Sequence, residues 1–474
     1  MTLPFPKALR SRMRRRQPGI LAFIVLIIAV FCPRPAVSYS LLTHEQLIDL
    51  TWRDSIVPLL LSRYPNLSPA DLNRARAYAY GGCVIQDIGY YPFGDRSFSN
   101  LTHYVRSGDF VVNLFRNAQN ANELAFAIGA LSHYIGDSVG HPEATNIAVP
   151  IEFPELGAKY GPSVSYAEGQ HQHVQTEFAF DINEIAHHRV APLRYMRHIG
   201  LKVPMRQLAL AFYQTYGLTE NFAGKRRINV RAYRFAVRTF IPRIAYGVTV
   251  LHRKHEPPDP TSPDVVELER EAAQVAKDNN WQDYRHKAGI ETYLIAGLLF
   301  ILPKIGPLKL VDVKGPTEQT EGDYAHSVAV STTALRRILT RFTPEQARYR
   351  GPVPPLGSLT RPNNASPQRR DPNHPLPNRD LDTGRVVQPG GYPLTDSTYA
   401  DLLHRIVQNT GQAIPPGIKD DIQQYYSNLD LPISTKKDPS RWKQVLEDLN
   451  TLAGIQTSTR PQPYPTYGDD QGDE

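Results

Sequence analysis

The 474 residues suffice for one large core with appendages, or for two modest domains. Hydrophobic residues at 41% fit a soluble globular protein, but 41 prolines, crowded late in the chain, exclude uniform folding. The formal charge of +7 does not mark a nucleic-acid-binding surface: Lys7, Arg10, Arg12, Arg14, Arg15, Arg16 and Arg34 all precede Tyr39 with no acid among them, and taking those seven from 53 leaves 46 basic residues against 46 acids.

The first 38 residues read as a cleaved export leader. A basic stretch ends at Arg16, an apolar run follows over 19–31, and Ala36-Val37-Ser38 supplies the small-x-small pattern of a cleavage site. The run falls short of the roughly 20 residues that span a bilayer. The expected mature chain starts at Tyr39 and lies outside the cytoplasm, periplasmic or extracellular. It keeps only Cys83 and forms no internal disulfide, so its stability comes from core and metal.

Residues 39–256 form the expected main helical domain. Leu124, Ile128, Leu131 and Ile135 recur at 4, 3 and 4, one apolar stripe. A long helix is expected over 228–252, and Pro257, Pro258, Pro260 and Pro263 then break the chain. A helical extension follows over 264–345, with an apolar segment at 293–305 whose length suits a buried helix. Residues 351–393, rich in Pro, Asn, Arg and Gly, read as a linker that wraps the surface or stays disordered. Short amphipathic helices are expected within 394–456, and 457–474 is a frayed tail.

Six of the 15 histidines fall between His44 and His173. His133 and Asp137 stand four apart, as do His173 and Glu177, so each pair shares a helix face and can grip one ion. Ligands opposite an apolar stripe require a helix inside a bundle, and Gly129, Ala130 and Gly136 would let its neighbours approach. Taken alone, neither pair separates a metal site from a hydrogen-bonded or exposed helix pair. Tyr78, Tyr80, Tyr90 and Tyr91 fit the core or a substrate cleft.

The order of these residues carries more. Gly81-Gly82-Cys83-Val84-Ile85-Gln86-Asp87, then His103, the His133/Asp137 pair, His141 and the His173/Glu177 pair together resemble the zinc-dependent phospholipase C family. The related secreted zinc nucleases that cut single strands share this ligand order. The resemblance covers about 39–224. It implies an all-α, multi-helix bundle of the zinc-dependent phospholipase C/nuclease type, here with a helical C-terminal extension, and three Zn2+ ions. Asp87, His103, His133 and Asp137 would hold one ion; His141, His173 and Glu177 the second. The third would use the mature amino terminus at Tyr39, with His44 and Asp137. Cleavage before Tyr39 puts His44 five residues in, as in the nuclease branch, so export and metal arguments meet at one residue.

Three features depart from the family pattern. Tyr39 replaces the usual Trp, His141 follows Asp137 more closely than is usual, and His171 competes with it for the second ion. The resemblance implies a phosphoric-ester hydrolase, most simply one hydrolysing a phospholipid head group, with Asp87 orienting the attacking water. Partners would be a phospholipid or other phosphodiester and, transiently, a membrane surface, acting on a monomer without a specific nucleic-acid partner. A single-strand nuclease or nucleotidase, and a non-catalytic module using zinc only to fold, are the competing readings. No choline-pocket pattern surrounds Asp87.

Overall fold

The computed structural model describes residues 41–222, 224, 226–252, 262–285, 315–341, 375–409 and 413–458. The leader, Tyr39, the 293–305 segment, the first part of the Pro-rich stretch and most of the tail lie outside these residues. The fold is all-α, as expected. Apart from two isolated bridges, Arg379 with Val386 and Ile414 with Thr457, the described residues form no sheet.

Helices start where local chemistry satisfies their first N–H groups. After α1, Leu41–Thr51, comes α2, Pro69–Gly82. Ser68 and Asp71 close a capping box at its start, and Pro69 supplies a preset first turn. Asp95 caps α3, Arg96–Tyr104. Ser107–Asn117 is α4, and Asn120 accepts from the N–H groups of Asn122 and Glu123 to open α5, Ala121–Gly140. Further along lie α6, Gln170–Ala186, α7, Met205–Tyr216, and α8, Arg227–Phe235.

α5 is the axis of the molecule. The sequence gives it one apolar face, yet from Ala125 to Gly140 every side chain is buried, on all sides. α2 crosses it at backbone contact: a Cβ at Gly129 would lie 2.2 Å from the Ala79 carbonyl oxygen, and one at Gly82 only 2.1 Å from that of Phe126. Gly129→Ala should therefore destabilise the protein by about 1–3 kcal/mol, because helix backbone must shift. An unchanged denaturation midpoint in that variant would contradict the crossing.

Three π-helical segments stand at prolines, the first being Trp52–Ile56 just ahead of Pro58. His141–Thr145 continues α5 and contains Pro142. Ala236–Phe240 interrupts the expected long helix just ahead of Pro242, then Ile241–His252 resumes it. Proline cannot donate to the i−4 carbonyl, and widening the turn absorbs the lost bond.

The C-terminal region shares the main core. α9, Pro263–Asp278, and α10, Glu318–Thr340, bury Val265, Leu268, Tyr324 and Val328 against Leu47, Leu50 and Phe180. α11, Pro393–Gln408, and α12, Pro439–Gly454, add Tyr399, Leu402, Ile406, Val445 and Leu452 to the cluster that contains α5. Between them runs Pro416–Tyr425, a helix the sequence pattern did not reveal.

The stretch read as a linker over 351–393 needs correction where it is described. Residues 375–392 are ordered, and although Arg385, Val386 and Gln388 are exposed, the middle of the stretch enters the protein. Asp380, Leu381 and Asp382 are buried, Ser107 Oγ donates to the Arg379 carbonyl at 2.6 Å, and Tyr134 Oη donates to that of Pro377 at 2.6 Å. Gly384, at φ +66°, passes so close to the Ser138 carbonyl that a Cβ would sit 2.2 Å from it. Composition suggested a solvated strand of chain; polar residues that find partners inside the protein override that.

Candidate metal centre

Five elements deliver the charged side chains to one place. His44 comes from the first turns of α1. Asp87 sits in the 3₁₀ turn Ile85–Tyr90 that follows α2, and this turn is clamped by Gln86 Nε2 donating to the Ala130 carbonyl (3.0 Å) and Gly89 N–H to Ser99 Oγ (2.9 Å). His103 lies in the last turn of α3. His133 and Asp137 lie on α5, with His141 at the start of the bulge that continues it. His173 and Glu177 lie on α6.

All eight side chains are almost wholly buried, none more than 2% exposed. They fall into three groups: His44, His133 and Asp137; Asp87, His103 and His133; and His141, His173 and Glu177. Within each group one ligand atom from every residue lies within 4.8 Å of the others. His171, the competing candidate, is half-buried and belongs to none of them. Tyr39 lies outside the described residues, so the expected amine ligand has no place in this description.

The separations fit donors around shared cations. Two ligands at about 2.0–2.1 Å from a tetrahedral zinc stand about 3.3–3.4 Å apart. His103 Nε2 is 3.3 Å from Asp87 Oδ1, 3.4 Å from Asp137 Oδ2 and 3.3 Å from His133 Nε2. His133 Nε2 is 3.0 Å from Asp137 Oδ2, while Asp137 Oδ1 faces His44 Nε2 at 3.2 Å. One carboxylate thus offers an oxygen to each of two groups. In the third, Glu177 Oε1 is 3.2 Å from His141 Nε2 and 3.0 Å from His173 Nε2.

The hydrogen bonds decide which way the rings face. His103 Nδ1 donates to the Ser99 carbonyl at 2.7 Å, His133 Nδ1 to that of Cys83 at 2.9 Å, and His141 Nδ1 to that of Leu381 at 3.0 Å. A carbonyl only accepts, so each Nδ1 carries a proton and each neutral ring turns the Nε2 lone pair inward. The Nε2 atoms of these rings then face carboxylate oxygens of the same groups. Both oxygens of Asp137 and of Glu177, and both ring nitrogens of His173, are buried without a hydrogen bond. A cation placed among them would satisfy these buried acceptors.

Electrostatics give the same answer. Burial pushes the His103 imidazole down, but Asp137 and Asp87 outweigh it and raise it to about 10, so positive charge is drawn to its Nε2. Burial lifts Glu177 to about 8 against the pull of His141, and burial lowers His173 to about 4. In the His141/His173/Glu177 group burial thus outweighs the neighbouring charges, and an ion would supply the compensation.

Residues 43–222 match the family model described as zinc dependent phospholipase C. This segment is a zinc-dependent phospholipase C family domain. No curated protein and no solved structure matches the chain. The family makes zinc the expected metal and metal-dependent hydrolysis the class of chemistry. Nitrogen and oxygen donors without thiolate suit zinc in a site that keeps a position open for water.

In this domain the aromatic surroundings are specific. The His44 ring stacks on His133 at 4.2 Å between centroids, and Gly136 makes room for it. Tyr90 lies 5.8 Å from the His103 ring and Tyr166 lies 5.5 Å from that of His173. Tyr78, Tyr80 and Tyr91 are buried in the core; only Tyr90 of that set is half-exposed beside the ligands. Cys83 is buried and contributes its carbonyl, not its thiol.

Sequence reasoning missed Tyr104, Asn146, Leu381, Asp382 and Tyr392, which surround the His141 side of the centre. Asn146 Nδ2 donates to the Asp382 carbonyl at 2.8 Å, and the hydroxyls of Tyr104 and Tyr392 donate to Asp382 Oδ2 at 3.0 and 2.6 Å. Tyr104 and Asn146 meet Asp382 from 278 and 236 positions away, and the ten-residue step from Asp382 to Tyr392 has no helical or strand period to signal it.

Proposed function

We propose that the chain is a phosphodiesterase of phospholipase C type that releases a phospholipid head group, using three zinc ions and a metal-activated water. The observation that carries this is Asp137, whose two oxygens face two different donor groups 3.0 to 3.4 Å away. A shared carboxylate fixes two cations at a short separation, the geometry needed to grip both sides of a phosphodiester. Asp87, His103, His133 and Asp137 would hold one ion; His141, His173 and Glu177 a second; and His44 with Asp137 and the Tyr39 amine a third. Zinc bound there supplies charge for the phosphate oxygens and acidifies a water.

The chain's own residues supply the rest. Asp87, one of two carboxylates beside His103, is assigned to orient the attacking water. Tyr90 and Tyr166 wall the site with rings and limit the water that reaches it. The Nδ1 hydrogen bonds of His103, His133 and His141 fix the orientation of those three rings.

A lipid substrate is supported by the rim. Phe93 lies in the turn between the elements that carry Asp87 and His103, and it is 65% exposed. Asn229 at the start of α8 donates to the Ile88 and Pro92 carbonyls, and the same helix carries exposed Ile228 (54%), Phe235 (46%), Arg227 and Arg231. Exposed apolar side chains among arginines suit an anionic lipid interface. No helix among the described residues is long and apolar enough to cross a membrane. We place the enzyme outside the cytoplasm, delivered by the 1–38 leader.

Phospholipid vesicles and single-stranded DNA offered to the same purified protein test the reading. Head-group phosphate ester should be released from the vesicles, and Phe93→Ala combined with Ile228→Ala should lower that rate about 10-fold while leaving a soluble short-chain lipid unaffected. Degradation of the DNA with the phospholipid intact would replace it with the nuclease reading.

A further inference from the structure

The peptide at Leu381 touches two ligand-bearing elements at once. Its N–H donates to the His103 carbonyl at 3.0 Å, and its own carbonyl accepts from His141 Nδ1 at 3.0 Å. Asp382 follows, 3% exposed, with Oδ2 taken by the hydroxyls of Tyr104 and Tyr392 and Oδ1 standing 3.7 Å from the same His141 nitrogen. The Asp382 carbonyl accepts from Asn146, just beyond the bulge that carries His141. Thr383 closes a tight turn onto Asp380 through Thr383 N–H to Asp380 Oδ1 at 2.8 Å and Oγ1 to Oδ2 at 2.5 Å. This segment lies some 160 positions beyond the matched 43–222 domain.

We propose that the Leu381–Asp382 turn is a working part of the His141/His173/Glu177 site: the Leu381 carbonyl sets which nitrogen of His141 faces the metal, and Asp382, strapped by Tyr104 and Tyr392, is the positioning residue that holds that carbonyl in place. The proposal rests on the metal-hydrolase reading. His173 shows why such an anchor matters. Neither of its ring nitrogens has a hydrogen-bond partner, so the trio has one oriented imidazole, and that one is oriented from the far end of the chain. A buried carboxylate beside the Nδ1–H also makes Nε2 a stronger donor to a cation. Without the turn, His141 could exchange tautomers and present a proton where the ion belongs.

Zinc binding by the full-length protein tests this without any assay of turnover. Metal-free protein is titrated with zinc against a chromophoric chelator, and with cobalt to read the ligand-field spectrum. Asp382→Asn should weaken one binding step about 10- to 100-fold and alter the cobalt spectrum of that step, with the remaining steps unchanged. Tyr392→Phe, which deletes one hydroxyl and little volume, should do the same more mildly, and it serves if Asp382→Asn does not fold. A purely architectural role would instead lower the melting temperature of the metal-free protein and weaken all steps together, and that result overturns the proposal. Undiminished affinity in both variants overturns it too. If the native chain takes up no zinc, the metal-hydrolase reading itself falls and this inference with it.

Discussion

Asp137→Asn should lower turnover by about 10³-fold or more and reduce the zinc retained by more than one ion. A metal acting as Lewis acid contributes several kcal/mol to a transition state, and each 1.36 kcal/mol is a factor of ten in rate. The amide keeps the size of the side chain and removes the charge that both donor groups share. It also sets an NH2 against imidazole lone pairs on one side, where a cation belongs. Measured metal content and steady-state rates check both halves. Near-normal turnover, or loss of a single ion, would remove the bridging role from Asp137.

The second large effect concerns architecture. Arg76 is 1% exposed, donates to Asp49, and reaches the Tyr195 hydroxyl and Asn279 Oδ1, each at 2.6 Å. Its guanidinium stacks over the rings of Trp52, Tyr80 and Tyr195. Burial pushes the Asp49 carboxyl up, and Arg76 and Tyr80 pull it back. Arg76→Ala leaves that carboxylate buried without its countercharge and should destabilise the fold by about 3–5 kcal/mol. The double variant Arg76→Met with Asp49→Asn should recover a large part of the loss, because no charge is then stranded. Denaturant unfolding reads both; a loss below about 1 kcal/mol in the single variant would contradict the account. Asp49 lies one helical turn past His44 on α1, so the same cluster fixes the helix that presents His44.

The gathering of these eight side chains was legible because much of it is local or ordered. The two pairs spaced by four declare a shared helix face. The order from Asp87 through Glu177 then selects a family that a match over 43–222 supports. The helical class followed from the same patterning. What stayed hidden has a common cause: it depends on chain segments meeting from far apart. Nothing about Pro377 to Thr383 distinguishes a buried turn from a solvated linker until Tyr104, Tyr134, Asn146 and His141 are seen waiting for it. The burial of α5 on every side was hidden for a related reason. Small residues such as Gly129, Ala130 and Gly136 score as neutral along a sequence, and they matter only once a second helix lies against them. The π bulges at Pro142 and Pro242 were concealed by the prolines, which read as breaks but widen the helix instead.

The hydrogen bond from His141 to Leu381 spans 240 positions. At about 5–20 residues per second, a ribosome needs on the order of ten to fifty seconds after making the histidine before it makes its acceptor. Through that interval the nascent polypeptide already carries every described side chain of the three donor groups, while the His141 Nδ1–H lacks its Leu381 acceptor. Completion of the donor groups is thereby deferred until late in translation, and a product terminated before Leu381 would carry all eight donor side chains without that hydrogen bond.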